Sequence, residues 1–248
     1  MPRDWDASTY DRIADPQYRW GVAVLDRLEI APGATVLDAG CGSGRVTEGL
    51  LERFPTVNVV GLDGSPSMLA QARERLGRFG ERVTLVLADL AEPLPVDPVD
   101  AVFSTATFHW VLDHERLFAT LAAVVSPGGR LVAQCGGAGN LATVTAALGA
   151  IGAPSFDGNK IFATPDETAE RLRAAGFDEV RCWLHDEPTP FGSLEELSTF
   201  LRAVALGAHV RTMSSDEADA FSLEVARRLP RLELDYVRLN IDARRAIR

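Results

Sequence analysis

Cysteine is scarce. The three, at positions 41, 135 and 182, are odd in number, and no two form a C-x-x-C pair. This excludes a disulfide framework and leaves reduced thiols, and with them cytoplasmic residence, as the simplest expectation. The four histidines, at 109, 114, 185 and 209, do not show zinc-type spacing, so no metal is expected. No apolar run approaches the ~18 residues that cross a bilayer, and Met1–Asp6 has no apolar leader, so no membrane association is expected. Internal repeats and low-complexity linkers are also missing. Basic residues are the minority, 25 against 35 acidic, for a net charge of −10. A polyanion is repelled in the mean, which argues against nucleic acid as a partner. The locally basic end, Asp242–Arg248, is short and reads as a solvated tail.

The chain of 248 residues, with 46% hydrophobic and 24% charged content, has the composition of one globular domain. Apolar strands at 34–39, 57–62, 83–88, 99–104 and 130–135 alternate with helical stretches at 44–54, 66–77, 113–125 and 140–151. This rhythm predicts an α/β fold with a doubly wound parallel sheet. Ser65 reads as an N-cap with Pro66 in the first turn, and Thr164-Pro165 opens another helix that ends at Gly176. Ser126-Pro127-Gly128-Gly129 carries a type II turn signature before the fifth strand. Strand alternation returns at 180–187 and at 232–241, with helices at 193–207 and 214–229 between them.

The first strand runs into Asp38-Ala39-Gly40-Cys41-Gly42-Ser43-Gly44. Alternate glycines let a chain turn at positive φ and let a ligand approach the backbone closely. The dinucleotide fingerprint G-x-G-x-x-G places its third glycine where this chain has Arg45, which disfavours a nicotinamide cofactor. The helix after the loop offers free N–H donors suited to a carboxylate. The second strand ends at Asp63, 23 residues after Gly40, the offset at which an acid accepts ribose hydroxyls. The third strand ends at Asp89.

The Asp38-x-Gly40-x-Gly42-x-Gly44 loop resembles motif I of the class I S-adenosylmethionine (SAM) dependent methyltransferases. Gly61–Leu69 and the Pro-Gly-Gly turn are similar to later segments of that family, and the likeness spans about residues 5–135. The resemblance implies SAM as cofactor and a Rossmann-like seven-stranded sheet whose antiparallel last strand inserts between strands five and six. It implies SAM contacts from Tyr10, Asp38, Gly40, Gly42, Gly44, Asp63, Gly64, Met68 and Thr105. Ala88, Asp89 and Leu90 take the places that face adenine. The implied layout is a single domain: N-terminal cap helices at 1–30, a SAM-binding core at 31–192, a helical lid at 193–230 and a last strand at 231–241.

Two short stretches resemble the trans-aconitate methyltransferase branch: Trp5–Tyr10 with Pro16–Gly21, and Phe108–His114. On that likeness the acceptor is a small molecule, with carboxylate O-methylation favoured and Gln17, His109 and Trp110 as candidate catalytic residues. Gln17, Arg19 and Trp110 are donors able to hold a carboxylate. A carboxylate is ionised near neutrality and needs no base. A hydroxyl or carbon acceptor needs one, and His109 is the candidate. A SAM-binding protein without methyl transfer is the remaining alternative. The sequence does not set the oligomeric state.

Overall fold

The computed structural model describes residues 15–156 and 160–247. Tyr10 and the side chain of Gln17 lie outside the described residues. Strands β1 (Thr35–Ala39), β2 (Asn58–Asp63), β3 (Val83–Leu87), β4 (Val99–Thr105), β5 (Val125–Gly136), β6 (Phe177–Asp186) and β9 (Val237–Arg245) form one sheet. Its order is β3-β2-β1-β4-β5-β9-β6, with β9 antiparallel to both neighbours. The last strand therefore lies between strands five and six, as expected.

Alternation within the strands sends side chains to two apolar layers. On one face Val36, Val59, Ala101, Phe103 and Val132 pack with α1 (Asp15–Leu25), α2 (Arg45–Arg53) and α3 (Pro66–Leu76). On the other, Leu37, Leu62, Val102 and Leu131 pack with α4 (His114–Val124) and α6 (Pro165–Ala174). The helix starts follow local chemistry. Ser65 Oγ accepts the Met68 N–H (3.3 Å) with Pro66 at the first turn. Thr164 and Glu167 form a capping box, and Gly176 ends that helix at φ 91°.

A third apolar cluster roofs one end of the sheet. It joins Trp20 of α1 and α5 (Ala142–Ala150) to the insertion, which comprises α7 (Leu194–Phe200), a π turn over Leu201–Ala205, α8 (Gly207–Val210) and α9 (Ser215–Ala226). Ser214 caps α9, again with a capping box to Glu217. The insertion is tied at its base by a two-stranded ladder, β7 (Thr189–Pro190) with β8 (Glu233–Leu234). Helix α5, Ala153, Phe156 and Phe162 belong to this roof, within the 31–192 stretch that the resemblance implied as the SAM-binding core.

Three local expectations change. Ser126–Gly129 is a bulge inside β5, because Val99 faces Val125 while Ala101 faces Arg130. Gly128 still takes φ 78°, the third position of a type II turn. The alternation at 232–241 spans two strands: residues 233–234 pair at the base of the insertion, and the sheet strand starts at Val237 and runs to Arg245. The basic end is consequently not a solvated tail. Ala243 is buried, Arg244 donates to the Gly128 carbonyl (3.2 Å), and Arg245 donates to the carbonyls of Ala122 (3.0 Å) and Gly176 (2.6 Å).

Candidate active site

The carboxyl ends of β1, β2, β3 and β4 open into a cavity of about 950 Å³ beneath the roof. This is where open α/β sheets carry ligands. Gly40, Gly42, Asp63, Gly64, Met68, Ala88, Asp89, Leu90 and Thr105 line it, as do His109 and Trp110. Asp38 and Gly44 do not.

The three loop glycines have separate reasons. At Gly40 (φ 85°) a Cβ would stand 2.2 Å from Thr107 Oγ1, so this glycine admits a neighbouring side chain. At Gly44 (φ 78°) a Cβ would meet Leu76 at 2.9 Å and Ala72 at 3.3 Å, so this one admits α3. Only at Gly42 (φ 55°) does a Cβ point into open space, on the cavity wall. Of the loop and the first turn of α2, only Gly40 and Gly42 line the cavity, so the helix N-terminus is not the expected carboxylate cradle.

Asp63 anchors the loop. Its Oδ2 accepts the Gly42 N–H (2.9 Å) and its Oδ1 the Ser65 N–H (2.8 Å). Burial pushes its pKa up, while these backbone donors oppose the shift. Asp38 lies beneath, fully enclosed, accepting from Thr47 Oγ1 (2.6 Å). Burial raises its pKa to about 7, with the Thr47 bond opposing and nearby Asp63 adding to the rise. Asp38 is therefore a support for the loop and not part of the cavity wall. Cys41 packs against Gly61 of β2, and burial holds its thiol protonated. Asp89 Oδ1 closes a turn to the Ala91 N–H (3.0 Å) while the residue still lines the cavity. The Ala88 N–H is taken by the Asp63 carbonyl (3.2 Å), while Ala88 itself stays on that wall with Asp89 and Leu90.

At the other end, Phe108–Trp110 makes one 3₁₀ turn after β4. His114 Nε2 donates to the Phe108 carbonyl (3.0 Å), and Asp113 caps α4 through the Arg116 N–H (2.9 Å). His114 thus braces the turn, while His109 and Trp110 face the cavity, whose wall the capping Asp113 also joins. His109 Nδ1 accepts the Gly136 N–H (3.3 Å), so its neutral ring carries the proton on Nε2. Burial, then Arg238, Lys160 and His114, hold its pKa well below the usual histidine range. The ring stacks on Phe162 at 5.9 Å.

Two cavity residues had no role in the sequence pattern. Arg238, on β9, donates from Nε to Gln134 Oε1 (3.3 Å) and lies over Trp20 at 4.5 Å. Gln134 Nε2 donates to Asn240 Oδ1 (3.0 Å), and Asn240 Nδ2 contacts His185 Nδ1 at 2.8 Å. Lys160 lies over the Trp110 and Phe156 rings at 4.5 and 4.2 Å and donates to the Ala205 carbonyl (3.1 Å). Both are buried in the cavity wall. Arg19, expected as a donor to the acceptor carboxylate, is exposed and does not line the cavity. The available signal was composition, since Lys160 is the one lysine among 25 basic residues.

Residues 37–133 match the family described as a methyltransferase domain. A trans-aconitate 2-methyltransferase of Methylobacterium nodulans is 38% identical over 183 residues, covering 73% of this chain and 67% of that protein. The chain belongs to the class I SAM-dependent methyltransferases. A trans-aconitate 2-methyltransferase of Variovorax paradoxus is 42% identical over 132 residues, 53% of this chain. The matched region spans about half the length of that relative, 49%. The fold is also that of phosphoethanolamine N-methyltransferase 2 of Haemonchus contortus, solved with phosphomonomethylethanolamine and S-adenosylhomocysteine. That likeness has a TM-score of 0.67 at 20% identity, over 98% of this chain and 57% of that one.

The family's cofactor suits the residues present. The open space at Gly42 is room that a side chain would fill, and Asp63 is fixed at its edge by two backbone donors. Among the described residues no group of three or more His, Cys, Asp or Glu is gathered for a metal. No helix among them is long and apolar enough to cross a membrane.

Proposed function

We propose that this methyltransferase O-methylates a carboxylate of a free small molecule, with Gly42, Asp63, Gly64, Met68, Asp89 and Leu90 holding SAM. The observation that carries the acceptor assignment is the Gly136 N–H on His109 Nδ1. It directs an N–H, not a lone pair, from Nε2, and burial beside two cations resists protonation. Among the described residues His109 is the one histidine lining the cavity. A hydroxyl or carbon acid needs a base. A carboxylate needs none, and His109 Nε2 and the basic wall serve it as donors. When bound, SAM supplies a sulfonium methyl that a carboxylate oxygen takes by displacement: a C–O bond forms, the C–S electrons leave on S-adenosylhomocysteine, and no proton moves. The chain's part is to align the two ligands and exclude water. Both relatives carry trans-aconitate in their names, which agrees with a carboxylate acceptor.

The test is S-adenosylhomocysteine release with trans-aconitate, compared with analogues whose carboxylates are reduced to alcohols. Release with the acid alone supports the reading, and release with the alcohols overturns it. His109→Gln should lower kcat by less than about tenfold, where loss of a base costs about 10²–10⁴. The kcat profile should show no inflection near about pH 6.5, the free imidazole value.

A further inference from the structure

The end of β4 fastens the glycine loop through side chains. Ser104 Oγ donates to the Ala39 carbonyl (2.6 Å), and Thr107 Oγ1 donates to the Gly40 carbonyl (3.2 Å). Two successive carbonyls, where β1 passes into the loop, are thus held by hydroxyls of β4 and its extension. From the other side, the Leu62 carbonyl of β2 accepts the N–H groups of Gly40 (2.7 Å) and Cys41 (3.0 Å). Gly40 is pinned between the ends of β2 and β4.

A bend in the chain comes just before Thr107. Ala106 takes φ 55°, a conformation an L side chain rarely adopts, and its N–H is held by the Gln134 carbonyl of β5 (2.8 Å). Strain of this kind persists where the surroundings impose it, and it gathers at functional sites. Thr107 then opens the 3₁₀ turn that carries His109 and Trp110, and its carbonyl accepts the Trp110 N–H (2.9 Å). Its hydroxyl does not cap that turn. The single hydroxyl proton is shared between the carbonyls of Thr105 (2.9 Å) and Gly40. Its Cγ2 and Cβ fill the space beside Gly40, where a Cβ on the glycine would stand 2.3 and 2.7 Å from them. One residue of the cavity wall therefore meets the cofactor loop with its side chain and starts the acceptor turn with its backbone.

We infer that Thr107 is a positioning residue for methyl transfer, which sets the turn bearing His109 and Trp110 at a fixed place relative to the SAM loop. This rests on the proposed acceptor site at that turn. Displacement at a methyl group depends on alignment, and a misplacement of about 1 Å can cost about a hundredfold in rate. SAM seated on the loop also steadies the acceptor turn, because Thr107 joins the two.

Two measurements test this. Thr107→Val keeps the shape and removes the hydroxyl. With SAM and trans-aconitate both saturating, its kcat should fall about tenfold to a hundredfold, while SAM affinity by calorimetry stays within about threefold. Thr107→Ser keeps the hydroxyl and should recover most of the loss. A purely structural role would lower the melting temperature and leave the kcat of the folded variant unchanged. The second measurement needs no acceptor. Amide hydrogen exchange over residues 108–111 is followed with and without saturating SAM. SAM should slow this exchange in the unmutated protein and fail to slow it in Thr107→Val. Unchanged kcat in Thr107→Val, a loss that lies in SAM affinity instead, or equal protection of the turn by SAM in both proteins overturns the positioning role and leaves carboxylate methylation standing. If the unmutated protein releases no S-adenosylhomocysteine with trans-aconitate, the carboxylate reading falls, and the exchange measurement alone decides for or against Thr107.

Discussion

At the residue scale, chemistry that looks uniform in the sequence has several physical origins. The three glycines of the motif loop were legible as a group, but only their surroundings separate their roles. Gly42→Ala should fold, with a strain of about 1–3 kcal/mol for a side chain at positive φ, and should lose SAM binding. Gly40→Ala adds a collision with Thr107 to the same strain, so its melting temperature should fall much further. Thermal melts with and without SAM separate the two outcomes; equal melting temperatures would contradict the assignment. Asp63 was legible from its offset, and its bonds to Gly42 and Ser65 add a second role. Asp63→Ala should weaken SAM by about 1.5–3 kcal/mol by calorimetry. Unchanged affinity in a folded variant removes Asp63 from the site. Lys160 and Arg238 were not legible from pattern. Arg238 looks like any polar residue in an alternating strand, and Lys160 follows a Gly-Asn pair that reads as a loop. Their meaning depends on long-range packing against Trp110, Phe156, Trp20 and Gln134.

At the element scale, starts and ends were readable because caps are local. Ser65 and Thr164 each accept the backbone N–H expected of them. The misreadings came where a strand's partner decides its limits. Residues 232–241 alternate evenly, yet β7 captures 233–234 and the sheet captures the stretch from Val237, with Asp235 and Tyr236 between. Asp235 there caps α5 from far along the chain. Its two oxygens accept the Thr143 N–H (2.9 Å) and Oγ1 (2.6 Å), a contact no local pattern announces. Asp235→Ala should cost about 0.5–2 kcal/mol, the range for a lost N-cap. Because Asn140 and Leu141, just before α5, line the cavity, it should also raise KM for the acceptor more than KM for SAM. Denaturant melts and paired KM measurements check both, and equal KM changes would separate α5 from acceptor binding.

At the scale of the whole molecule, the sheet and the cofactor half follow from a repeating βαβ pattern that any single stretch reinforces. The roof over the cavity comes from separate places in the chain, α1, α5, Phe156, Phe162 and the insertion, which no single motif spans. The net charge of −10 repels anions in the mean, but at physiological salt the Debye length is ~8 Å, so the charged groups of the cavity wall outweigh that distant mean field inside it. The most direct test is the product itself. The purified protein is incubated with SAM and trans-aconitate, and the product is followed by mass spectrometry before and after mild alkali. A methylated acid that alkali returns to the starting acid is the methyl ester expected here. A methyl group that survives alkali, as an ether or on carbon, refutes carboxylate transfer.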